Sequence, residues 1–104
     1  MNKKIKQLLK KHINIVKSMY PELYIEVEMV LDDILVSINS LEIYNGERFA
    51  DLLCNFIDEY DSKGYFDIYW GVNSSLTGEN LELLEDIVEV PKKENSKENR
   101  VVNF

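Results

Sequence analysis

The sequence predicts a small α+β domain, and three observations lead to that class. Residues 3–20 and 46–63 carry apolar side chains at helical spacing, whereas 23–31, 34–38 and 65–72 alternate with a period of two. The two kinds of segment are interleaved in the order α-β-β-α-β, followed by a mixed C-terminal part. With 104 residues, 45% of them hydrophobic, the chain has the size of one ordinary domain and enough apolar side chain for a core. Residues 1–91 are accordingly assigned to a single domain and 92–104 to a polar tail, whose Val101, Val102 and Phe104 could dock back onto the body. The expected architecture is a three- to four-stranded antiparallel sheet with two main helices packed on one face.

Each element has a local justification. At about 100° per residue from Ile5, the side chains of Leu8, Leu9, His12, Ile13, Ile15, Val16, Met19 and Tyr20 share one broad face. Lys3, Lys4, Lys6, Lys10, Lys11 and Lys17 fall on the other, and Pro21 stops the helix by disfavouring helical geometry at the residue before it. Ile25, Val27, Met29 and Leu31 then alternate with Tyr24, Glu26, Glu28 and Val30, as in a half-buried strand. Asp32-Asp33 marks a hairpin, after which Ile34, Val36 and Ile38 resume the pattern. Past Asn39-Ser40 the apolar phase shifts to Leu41 and Ile43, so a bulge or the end of the strand is expected there.

The second long helix has Phe49, Leu52, Leu53, Phe56, Ile57 and Tyr60 on one face, with Asn45 placed to cap its start and Gly64 its end. Phe66, Ile68, Trp70 and Val72 against Tyr65, Asp67, Tyr69 and Gly71 give a third strand. A short helix is expected from Thr77 to about Asp86, then an extended segment from Ile87 to Val90 before Pro91.

Charge is distributed unevenly. Residues 1–20 carry +6, residues 21–91 carry −15 with only Arg48 and Lys63 as cations, and residues 92–104 carry +2, for −7 in all. Such asymmetry bears on solubility and partner choice more than on fold. The apolar residues of the leading helix are broken by Lys10, Lys11 and His12, which fits neither a signal peptide nor a membrane span. A lone cysteine, Cys54, cannot close an internal disulfide, and a cytoplasmic location is expected.

The chemistry of catalysis is poorly served. One histidine and one cysteine do not make a zinc site, and calcium-loop spacing is absent, so no metal or other cofactor is expected. Asp32 and Asp33 suit a hairpin tip better than a cation. His12 and Cys54 are the only candidates for nucleophilic catalysis, but no third orienting group is evident; a hydrogen-bonded core histidine and a small buried hydrophobe are the simpler roles. With nineteen acids some carboxylate pair arises by chance, and phosphate-binding glycine loops are missing. The chain is therefore expected not to be an enzyme.

Three binding readings remain. The first is a small acidic inhibitor that blocks a basic, nucleic-acid-acting protein, such as an immunity protein for a nuclease toxin or a phage anti-defence protein that mimics DNA and occupies a host defence enzyme. Its acids would be Glu26, Glu28 and Asp67 on an open sheet face, with Asp58, Glu59 and Asp61 on the second helix. Tyr24, Tyr65 and Tyr69 would be its aromatic anchors, because tyrosine gives contact area at low entropy cost. The second reading is a non-catalytic regulatory or scaffold module that acts as a homodimer. The third is weak nucleic-acid binding through the basic first helix, against which the acidic middle of the chain argues.

Overall fold

The computed structural model of the chain describes residues 1–85. The expected tail at 92–104, its docking residues and the extended segment at 87–90 lie outside them. The elements are α1 (Lys3–Met19), β1 (Ile25–Val30), β2 (Asp33–Ile38), a one-turn helix α2 (Leu41–Tyr44), α3 (Glu47–Ser62) and β3 (Ile68–Val72), with a 3₁₀ turn at Glu82–Leu84.

Asn2 opens α1 by accepting the amide of Ile5 on its side-chain oxygen at 2.9 Å, which satisfies one of the helix's otherwise unpaired first amides. The helix buries Leu8, Leu9, His12, Ile13 and Val16 and turns its lysines away from them. It ends at Tyr20, directly before Pro21. β1 and β2 form the expected antiparallel hairpin, with Val30 opposite Asp33 and Leu31-Asp32 as the two-residue turn between them. Ser40 ends the second strand and caps α2, accepting the Ile43 amide at 3.2 Å, so the phase shift at Leu41 is a chain reversal. Asn45 closes this short turn; Gly46, and not Asn45, precedes the first residue of α3. Gly64 ends α3 in the left-handed region, φ 76°, where a side chain would be strained.

The sheet is mixed, not antiparallel throughout. Its order is β1-β2-β3, and β3 runs parallel to β2 with Ile34 opposite Ile68 and Ile38 opposite Val72. The reason is topological. α3 carries the chain about 24 Å back along the sheet at 1.5 Å per residue, so the following strand starts at the same end as β2. A helix between two neighbouring strands makes a crossover, and a crossover makes a parallel pair. The fourth strand shrinks to a single parallel bridge in which Asn80 exchanges two hydrogen bonds with Ile25 and Val27 on the outer edge of β1. The helix expected from Thr77 shortens accordingly to three 3₁₀ residues, of which Leu84 is buried.

Alternation places Ile25, Val27, Val36, Ile38, Ile68 and Trp70 on the inner face, where Trp70 meets Phe49 and Phe56 of α3, and His12 of α1 stacks on Phe56 at 3.9 Å. Leu9, Val16, Ile25, Val36 and Phe49 are fully buried, each worth about 1.5–3 kcal/mol relative to exposure. β3 is the far edge of the sheet. The bonds Asp67 O to Ile34 and Ile38 O to Asn73 put alternate residues toward β2, which leaves the Trp70 carbonyl facing outward. The Tyr44 hydroxyl donates to that carbonyl at 3.0 Å, so α2 covers part of the edge.

Candidate functional site

The outer face of the sheet has no helix packed on it among the described residues. The register lays its side chains out in rows. Glu28, Leu35 and Tyr69 form one; Glu26, Ser37 and Gly71 form the next, in which the small Ser37 is buried between its neighbours. Val30 and Asp33 lie at the hairpin end; Asp67 is exposed there just ahead of β3, where it also lines a cleft with Ile5, Ile34 and Ile68. Tyr24 stands at the opposite end, its backbone amide held by the Asn39 side chain at 2.9 Å. No lysine, arginine or histidine occurs between residues 18 and 47 or between 64 and 85, so no strand carries a cation. Among the described residues, none of Glu26, Glu28, Asp33 and Asp67 is ion-paired.

Four of the expected binding residues, Tyr24, Glu26, Glu28 and Tyr69, therefore share one surface, and Asp67 stands exposed at its hairpin end. The other four do not join them. Asp58 and Asp61 are exposed on α3, in the helix layer. Tyr65 lines a groove of about 450 Å³ between α1 and the end of α3, in the company of Lys4, Lys11 and Lys63. Glu59 is occupied: Lys11 donates to its Oε2 at 3.0 Å and His12 to its Oε1 at 2.9 Å. Sequence reasoning missed Asp33 and Leu35, which alternation with Ile34 and Val36 turns outward and which the register sets beside Val30, Glu28 and Tyr69. It also placed Phe66 on the inner face; Phe66 precedes the first paired residue of β3 and is 67% exposed.

His12 belongs to the interior. It is 1% exposed, with Nδ1 2.9 Å from the Tyr60 hydroxyl, and Trp70 Nε1 donates to the same hydroxyl at 3.0 Å. Burial pushes the His12 pKa below its ordinary value despite the neighbouring Glu59. Hydrogen bonds from His12 and Lys11 hold the Glu59 carboxyl below the usual carboxylate range, and burial raises the Tyr60 phenol to about 12. Cys54, expected to be buried, is exposed, and it is not among the partners of His12. No group of three histidine, cysteine or acidic side chains converges to hold a metal ion among the described residues, and no helix there is long and apolar enough to cross a membrane.

No protein-family model, curated protein or solved structure matches the chain.

Proposed function

We propose that the protein is a stoichiometric inhibitor that occupies the cationic nucleic-acid groove of another protein with the outer face of its sheet. One observation carries this reading: an uncovered face presents three unpaired carboxylates, Glu26, Glu28 and Asp33, beside Tyr24 and Tyr69, with Asp67 unpaired at its hairpin end and no cation on any strand. A surface of one sign speeds encounter with its opposite, and aromatic side chains that become buried hold the complex. An immunity protein for a nuclease toxin and a phage protein that blocks a host defence enzyme both fit this chemistry, and the partner in either case is a basic protein. The acids of α3 are a separate surface and contribute at long range only.

Recovery of the partner with the full-length chain, followed by association kinetics on the purified pair, tests the reading. The rate is expected to fall steeply with salt, and Glu26→Lys, Glu28→Lys and Asp67→Lys together are expected to slow it at least about tenfold. A rate indifferent to both would remove the sheet face from the interface.

A further inference from the structure

The hairpin end of the molecule carries apolar side chains that the core does not use. Leu31 is 93% exposed, Phe66 is 67% exposed, and Met29 and Val30 are close to half exposed. Beside them a cleft of about 220 Å³ opens between the hairpin, the start of α1 and the segment entering β3, lined by Ile5, Met29, Ile34, Phe66 and Ile68 among others. Leu31 also holds a backbone conformation, φ 57°, that the first position of a two-residue hairpin turn requires and that glycine, asparagine or aspartate adopts with less strain. An apolar side chain set at the tip of a turn, in a strained backbone and away from the core, is the kind of outlier from which a functional role is inferred.

The occupant of this end follows from its rim. Asp32 and Asp67 line the cleft together with Met1, Asp33 pairs with Val30 next to it, and no lysine or arginine is among the residues that line it. A second copy of the chain docked end to end would press these carboxylates together. A basic partner would neutralise them while covering the apolar centre, the arrangement of a desolvated anchor within a polar ring. We propose that Leu31 is an anchor residue: it inserts into an apolar hollow within the basic surface of the partner, with Met29, Val30 and Phe66 packing around the entrance. This rests on the inhibitor reading and adds to it where the complex is fixed, whereas the sheet acids govern how fast it forms.

Two synthetic peptides of equal length and equal lysine content serve as probes, one with leucines interspersed and one with serines in their place. Leu31→Gly removes the side chain and relieves the backbone, so the variant stays folded, which a thermal melt verifies. The leucine peptide is expected to shift the amide resonances of residues 29–34 and 65–69 in the full-length protein, and Leu31→Gly to weaken it about tenfold. The serine peptide is expected to bind weakly and to ignore Leu31→Gly. Equal binding of both peptides, or a leucine peptide insensitive to Leu31→Gly, overturns the anchor. Concentration-dependent dimerisation that Leu31→Gly abolishes, read by light scattering, overturns the basic partner in favour of a second copy. If charge reversal on the sheet leaves association unchanged while Leu31→Gly still weakens the leucine peptide, the anchor stands and the acidic-groove reading falls.

Discussion

Nδ1 of His12 lies 2.9 Å from the phenolic oxygen of Tyr60, and this contact fixes where the protons sit between the two long helices and β3. Trp70 Nε1 can only donate, and it does so to the Tyr60 oxygen. The phenolic proton is then directed at Nδ1, which accepts it, and the imidazole keeps its own proton on Nε2, facing Glu59. With the histidine neutral, the Trp70 N–H, the Tyr60 hydroxyl and both His12 ring nitrogens each have a partner. A second proton on Nδ1 would meet an oxygen that already receives one bond, and would turn the phenolic hydrogen away from its acceptor.

Stability is expected to depend on pH on both sides of neutrality. His12 has a depressed pKa in the fold, so the unfolded chain takes up its proton first: the contribution is complete above pH 6.5 and is lost as pH falls below it toward the folded value. Glu59, also depressed, adds a further loss below pH 4.5. Tyr60 acts in the opposite sense, because its raised pKa makes the fold weaken as pH rises from 10.0 through about 12. Melting temperature measured across pH should show a plateau between these limits and fall on each side. A curve flat between about pH 7 and about pH 5 would contradict the assignment of His12.

Tyr60→Phe is expected to destabilise more than the loss of one hydroxyl suggests. It leaves the Trp70 N–H and His12 Nδ1 without their shared partner in a largely buried setting, at a cost of about 1–3 kcal/mol for an unsatisfied buried group. Denaturant unfolding of the variant gives the figure. A change under about 0.5 kcal/mol would mean that water replaces the hydroxyl.

Leu31→Gly is expected to stabilise the protein. The left-handed conformation costs a side-chain-bearing residue about 1–2 kcal/mol, and the extra freedom of glycine in the unfolded chain returns part of that. The melting temperature should rise by a few degrees, and a fall would show that the side chain holds the hairpin together.

Charge reversal at Glu26, Glu28 and Asp67 should leave the fold intact. None of the three is ion-paired among the described residues, and surface positions of this kind shift stability by about 0.5 kcal/mol or less each. A circular dichroism melt within a few degrees of the original is expected.

The elements were legible where a single periodicity ran unbroken: α1 from its lysine and apolar faces, the hairpin from Ile25, Val27, Val36 and Ile38, α3 from Phe49 through Tyr60. The direction of β3 was not, because strand alternation is the same in either direction; only the helix between β2 and β3 determines it. Asn45 looked like a cap for α3 because nothing in the local sequence separates the one-turn helix before it from a loop. Glu59 looked like a free surface acid, and its engagement depends on His12, 47 residues away in sequence. The outward acids of β1 were visible from alternation alone, whereas which residues of β2 and β3 stand beside them needed the pairing register. Leu31 was counted with the inner apolar face by strict alternation, and the turn removed it.

The contact that ties α1 to α3 has an electrostatic consequence for the whole molecule. It holds the lysine-bearing surface of α1 in the helix layer, while the strands on the other side bear carboxylates and no cation. α3 adds acids to the helix layer as well, but the lysines and arginine of the described residues all lie on or at the end of a helix, so the cation-free strand side is the more negative end of a dipole. Close to a cationic surface it produces a torque that turns the molecule strand side first before any atoms touch.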